Sequence, residues 1–359
     1  MRNRVILVAL LASLLAPSVL AAEATSETNA RLKVYLKNNP EADANRDGVL
    51  TFAEARVHFR KARAATPTAA TGPLSYPKGN GLRIVSTGHS WVAPAIKTLP
   101  AIAKAAGLDG HHQRSHLSGG ATGAANSIWL KEHGQYGREP KKVVLLPAIA
   151  TGEWDVMTWG VYANDLPDHF GQWIDVCLEV NPKMIFYVQD AWPSISKHHK
   201  TYKSEDEVPL DALLAINTVT NARVKRAVDV LNAKYADKVR VIPVGDAMVE
   251  VLKLYFAKKL HGIEGLSTHL CHSPNAIWRD GGHLSPNMAW WEGYVYYATL
   301  YKRSPALIDA EFPVTKANAA LDKCLRECAW RAVINHPLSG VTDRNNNGIG
   351  DEIEGAKGQ

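Results

Sequence analysis

The stretch Arg83–Ala105, RIVSTGHSWVAPAIKTLPAIAKA, decides the fold. Its first residues belong to a run, Leu82–Thr87, dominated by strand-forming residues. The run stops at Gly88-His89-Ser90 and passes at once into a helical pattern over Val92–Ala106. Ser90 at such a corner is either a helix cap or a nucleophile presented at the carboxyl edge of a sheet, and the corner alone leaves both readings open.

The same alternation continues outward. Apolar runs at Lys142–Pro147, Met184–Gln189 and Val239–Val244 are expected strands, with a further one before SHLSGG. Helical patterns cover Asp165–Val180, Leu210–Tyr235, Asp246–Leu260 and Met288–Tyr301, and a last one lies in KANAALDKCLRECAWRAVINH. The strand runs lack clean alternation, which suits strands buried on both faces. Strand–helix–strand order predicts an α/β fold, a parallel sheet of about five strands sandwiched by helices. The residues just after each strand then line the binding crevice.

The 359 residues, 46% hydrophobic and 21% charged, supply core for one large domain or two smaller ones. Residues 1–21 read as an export signal: Arg2 and Arg4, the short apolar VILVALLASLL, then small residues for cleavage after Ala21 or Ala22. The expected location is secreted or periplasmic, and no later segment is apolar enough to cross a bilayer. The formal charge of +6, about +4 without the signal's arginines, is spread with no basic stripe, which argues against nucleic acid. Residues 22–66 form a small helical segment, 67–81 a linker or extended surface segment rich in Ala, Thr, Pro and Gly, 82–336 the main domain, and 337–359 a polar tail. The four cysteines are Cys177, Cys271, Cys324 and Cys328. Export permits disulfides, and Cys271 with one of the last two is the expected pair, since Cys324 and Cys328 share one helix. No CxxC pair exists for zinc.

Two twelve-residue segments carry the spacing of calcium loops of the EF-hand type. In DANRDGVLTFAE the ligand positions fall to Asp43, Asn45, Asp47, the Val49 carbonyl, Thr51 and the chelating Glu54, with Gly48 at the sharp turn. In DRNNNGIGDEIE they fall to Asp343, Asn345, Asn347, the Ile349 carbonyl, Asp351 and Glu354, with fewer carboxylates. Both loops are expected to hold structural Ca2+, the second more weakly. No cofactor is expected for catalysis.

A serine nucleophile needs a base, and the base an orienting acceptor. RDGGHLSP supplies both: Asp280 and His283, three apart in a Gly-rich loop before a core helix. A carboxylate there can accept from one ring nitrogen while the other faces outward; a polar turn with a capping aspartate is the plainer reading.

Gly-x-Ser directly after the first core strand, with Asp-x-x-His before the last core helix, resembles the SGNH or GDSL-type serine hydrolases over roughly residues 82–303. The resemblance implies a flavodoxin-like three-layer αβα sandwich. It implies Ser90 as nucleophile, His283 as general base, Asp280 as orienter, and an oxyanion hole from the N–H groups of Ser90 and Gly120, with Gly119 beside it. The first block reads GHS rather than GDS. The third block of that family places an Asn after the third strand; the matching segment, PAIATGEWDVMTWG, has none. Glu153 and Asp155 cannot donate when ionised, which leaves an N–H near Thr151 or Gly152, or the side chain of Asn126.

Trp91, Trp154, Trp159, Trp192 and Trp278 fall near expected crevice loops, where such rings stack on sugars or pack in the core. His111, His112 and His116 have no recognised metal spacing and read as solvated loop histidines, and SKHHKTYK reads as a charged surface loop. Gln189 and Asp190 follow a strand and would line the crevice, unless Asp190 caps a turn. The leading expectation is a secreted serine esterase removing acetyl or similar small acyl groups from a carbohydrate. The alternatives are a non-catalytic calcium-containing glycan-binding protein, favoured by the missing Asn, and a lipase or thioesterase with an apolar acyl channel.

Overall fold

The computed structural model describes residues 25–51, 53–55, 57–58, 79–117, 123–133, 145–195, 204 and 207–354. The expected export signal and most of the linker lie outside them. Residues up to 74 and from 75 onward form two compact units. In the small unit, helix α1 (Ala30–Asn38) and a 3-10 turn (Pro40–Ala42) precede the first Asx-rich loop. Among its described residues, Leu32, Ala42 and Leu50 form a buried core.

The large unit is built on a parallel sheet of five strands: β1 (Arg83–Gly88), β2 (His112–Leu117), β3 (Val156–Gly160), β4 (Ile185–Gln189) and β5 (Val239–Ile242). Their order is β2-β1-β3-β4-β5, all pairs parallel. Helices intervene: α2 (Ala93–Ala105), α3 (Ala124–Glu132), α4 (Leu145–Ile149), α5 (Pro167–Val180), α6 (Leu210–Tyr235) and α7 (Val244–Phe256). Two more, α8 (Pro286–Tyr301) and α9 (Ala319–Asn335), complete the set of main helices.

Successive strand residues enter separate cores. Ile84, Val156, Tyr187 and Ile242 join a core with α2, α7, α8 and α9. Val85, Met157, Phe186 and Val241 join a core with α3 to α6 on the other face. Both faces are therefore buried, which is why the strands read as apolar runs. The result is a three-layer α/β sandwich. The strand order reverses between β1 and β3, the switch point at which crevices form in such sheets. Among the described residues no helix is long and apolar enough to cross a membrane.

Three expectations are corrected. Of the Lys142–Pro147 run, residues 142–144 lie outside the described residues and from Leu145 onward it is α4; the third strand of the sheet is Val156–Gly160. A short apolar run of this kind fits a buried helix as well as a strand. The cysteines form no disulfide; Cys177 and Cys328 are buried thiols, and Cys271 is unpaired. His112 and His116 lie on β2 rather than in a loop. A small parallel pair, β6 (Gly265–Ser267) with β7 (Ala276–Trp278), was not anticipated.

Candidate active site

β1 delivers its carboxyl end to Gly88-His89-Ser90 beside the switch point. Close passage of β3 shapes this corner: a Cβ on Gly88 would meet Val92 Cγ2 at 2.7 Å and the Gly160 nitrogen at 3.1 Å. Ser90 does not cap α2. The N-cap is Val92, with no side-chain cap, and Pro94 sits in the first turn. Ser90 is exposed and its φ is not positive, so the turn holds it without backbone strain. Its hydroxyl lies 2.9 Å from His283 Nε2, across 193 positions of sequence.

The histidine comes from a hairpin-like loop. Trp278 bridges Leu284 in antiparallel fashion, and the Arg279 N–H donates to the His283 carbonyl at 2.7 Å. Inside the loop, Asp280 Oδ1 accepts from the N–H groups of Gly282 (3.0 Å) and His283 (2.8 Å). Its carboxylate also meets His283 Nδ1 at 2.9 Å through Oδ2. An ionised carboxylate only accepts, so Nδ1 carries the proton and Nε2 is left as an acceptor for the Ser90 hydroxyl. Burial alone would raise the Asp280 carboxyl. The main-chain donors of His283 and Gly282, then the imidazole, outweigh it and hold the group well below the usual carboxylate range. The negative partner of His283 therefore persists into acid.

A ring stack supports the loop from beneath. Trp91 and Trp192 stack at 4.8 Å with planes 12° apart, and Trp192 Nε1 donates to the Gly282 carbonyl at 2.9 Å. A Cβ on Gly282 would approach Trp91 Cζ2 to 2.8 Å, so only glycine lets the loop pass this close. Of the five tryptophans near the expected crevice loops, Trp154, Trp159, Trp192 and Trp278 are buried, which is the packing reading, and Trp91 is partly open. Gln189 and Asp190 are buried too. Gln189 donates to the Trp91 carbonyl at 3.2 Å, and Asp190 caps the first turn of α7 through the Gly245 N–H at 2.8 Å.

His89 occupies the position where the resembled family has Asp. It is 5% exposed. Its Nε2 faces the Val161 carbonyl at 3.1 Å, its Nδ1 receives the Trp91 N–H at 3.4 Å, and its ring packs edge-on against Tyr162 at 5.0 Å. That fixes the proton on Nε2. Burial lowers its pKa, the Val161 carbonyl opposes this, and His283 lowers it further. His89 is thus a neutral strut between the β1 corner and the exit of β3.

The Ser90 N–H has no acceptor among the described residues. Gly119 and Gly120 lie outside them. Thr151 and Gly152 precede β3 and stand at the amino edge of the sheet, where the Asp155 N–H pairs with the Arg83 carbonyl, so they cannot reach Ser90. With the third strand ending at Gly160, the loop at its carboxyl end is Val161-Tyr162-Ala163-Asn164-Asp165. Asn164 is exposed and its side chain has no partner among the described residues. Asp165 accepts from the N–H groups of Tyr162 (2.9 Å) and Ala125 (3.0 Å), bracing the start of α3. Asn126 stands in that first turn of α3. An Asn thus does follow the third strand, and placing that strand too early had hidden it.

Comparison with protein families and with curated proteins finds no match. Among solved structures, a DUF4886 family protein from Bacteroides uniformis is 13% identical, with a TM-score of 0.48 over 71% of this chain and 95% of that one. The periplasmic domain of a lipopolysaccharide acetyltransferase from Salmonella ser. Paratyphi A is 14% identical (TM-score 0.37; 64% and 85% covered). A family 3 carbohydrate esterase from Clostridium thermocellum is 17% identical (TM-score 0.33; 60% and 94% covered). At these levels the likenesses assign no activity.

Proposed function

We propose that this chain is a serine esterase acting on small acyl esters, with Ser90 as nucleophile, His283 as general base and Asp280 as its orienting carboxylate. One observation carries the reading: the continuous relay from Ser90 Oγ to His283 Nε2, and from Nδ1 to Asp280, joining segments 193 positions apart. A serine serving as an ordinary cap would have no use for it.

In the first half-reaction Ser90 Oγ attacks the ester carbonyl carbon and its proton passes to His283 Nε2. The Ser90 N–H faces the developing oxyanion. Collapse of the tetrahedral species breaks the bond to the alcohol, which leaves with the proton from Nε2. Water, deprotonated by the same nitrogen, then releases the acid and restores the hydroxyl. Asp280 stays ionised and stabilises the imidazolium formed in each half. His89, neutral and saturated, holds the corner and exchanges no proton.

An open site, with Ser90 exposed and the His283 side chain 39% exposed, suits a bulky alcohol approaching from solvent. Acetyl removal from a carbohydrate fits that opening, and the leader-like N-terminus fits action outside the cytoplasm. The buried tryptophans lend the sugar no support. Turnover of p-nitrophenyl acetate should be lost in Ser90→Ala; undiminished turnover would refute the proposal. A panel of acetylated sugars and graded acyl chains then separates a carbohydrate esterase from a lipase or thioesterase.

A further inference from the structure

The ester chemistry leaves the two Asx-rich loops unused. Their backbones repeat each other. Arg46 and Gly48 in the first, and Asn346 and Gly348 in the second, take positive φ at matching places: 60° and 81° against 56° and 81°. The N–H of Gly48 donates to Asp43 Oδ2 (2.8 Å), as that of Gly348 does to Asp343 Oδ2 (3.0 Å). Val49 N–H donates to Asp47 Oδ1 and Ile349 N–H to Asn347 Oδ1, each at 2.8 Å.

They differ at the first carboxylate. Asp343 is satisfied on both oxygens: Oδ1 accepts from the Asn347 N–H, and Oδ2 from Gly348 and from Trp330 Nε1 at 3.1 Å. Asp43 is equally buried, 8% exposed, yet its Oδ1 is sealed from solvent with no hydrogen-bond partner. A buried carboxylate oxygen without a donor is costly, and a bound cation removes the cost. A second observation agrees. Among the described residues the small unit's core is Leu32, Ala42 and Leu50, with Tyr35, Leu36 and Ala55 against it. Ala42 precedes the loop and Leu50 lies within it, so loop shape and core are one structure. A cation that fixes the loop's shape therefore also fixes this packing.

We propose that loop 43–54 binds a hard divalent cation of calcium's size, and that this binding stabilises the fold of residues 25–58. Asp43, Asn45, Asp47 and the Val49 carbonyl provide oxygens, and Thr51 stands at the position that acts through water. Glu54 caps the next turn through the Thr51 N–H at 3.0 Å and must swing inward to chelate. As the side chains stand, no three His, Cys, Asp or Glu groups gather as a metal site among the described residues. The second loop, with fewer carboxylates and a satisfied Asp343, binds more weakly.

The test is calcium titration of the full chain, stripped with EDTA and desalted, by calorimetry, with limited proteolysis mapped by mass spectrometry. The expected result is a site with Kd between roughly 10 μM and 1 mM, lost in Asp43→Asn and in Glu54→Gln but kept in Asp343→Asn. Calcium, and not magnesium at equal concentration, should slow cleavage within residues 25–58 several-fold. No uptake at millimolar calcium, uptake that both loop-one variants retain, or cleavage indifferent to calcium would each overturn the proposal. The wild-type measurements keep it falsifiable if a variant misfolds.

Discussion

Two segments bring a histidine to Ser90, and they use the same side chain in opposite ways. The corner after β1 buries His89 and spends both ring nitrogens on main-chain groups, the Val161 carbonyl and the Trp91 N–H. The hairpin before α8 leaves His283 partly in solvent, with one nitrogen on Asp280 and the other on the serine hydroxyl. A ring locked by main-chain partners cannot change its proton count cheaply; a ring between a carboxylate and an alcohol can. The difference teaches that surroundings, not nearness to the serine, set which histidine moves a proton.

The sharpest break in that comparison is by deletion. His283→Ala should lower kcat by about 10^4-fold or more, and Asp280→Asn by on the order of 10^3- to 10^4-fold through loss of the fixed tautomer. His89→Ala should stay within about tenfold in kcat while losing roughly 1–3 kcal/mol of stability, since it strands a buried carbonyl and an N–H. Steady-state kinetics with urea unfolding measures both; equal kcat losses at the two histidines would end the distinction.

A smaller effect is expected at Asn164. If the segment after β3 serves the oxyanion as the corrected strand suggests, Asn164→Ala should cost about 10^2-fold in kcat with KM little changed. Activity equal to the parent's would assign the hole to other donors.

The smallest effect concerns Asp165, the brace at the start of α3. Burial pushes the Asp165 carboxyl up from 3.8 to about 6, against the pull of its main-chain donors. The folded protein therefore keeps that proton where the unfolded chain has released it. Asp165 adds stability below about pH 4, and the contribution is lost as pH rises through about 6. Two pKa units correspond to about 3 kcal/mol at most. Asp165→Asn has no proton to lose, so its stability should decline less between pH 4 and 7, by on the order of 2–3 kcal/mol. Parallel pH profiles would contradict this.

Much of this geometry was legible in the sequence because it is local. The strand-to-helix corner at Ser90 and the Asp280–His283 spacing each lie within a few residues. Helices such as Leu210–Tyr235 appear as their apolar periodicity indicates. What escaped was decided by long-range packing. KVVLLP has the composition of a strand, yet from Leu145 on it packs as a helix, while the sheet takes the shorter VMTWG. The same slip hid Asn164. The tryptophans carry no mark of burial in sequence, and Trp192 reveals its use only in the stack beneath Gly282. His89 could be flagged as unusual in GHS, but two of its partners, Val161 and Tyr162, lie just past β3 and became visible only with the sheet order.

The most direct measurement of the central claim is active-site labelling with a fluorophosphonate, the modified peptide being located by mass spectrometry in the parent, His89→Ala and His283→Ala. The account predicts a single adduct on Ser90, formed at similar rates in the parent and His89→Ala, and slowed by several orders of magnitude in His283→Ala. Labelling on another serine, or on Ser90 at a rate indifferent to His283, would contradict it.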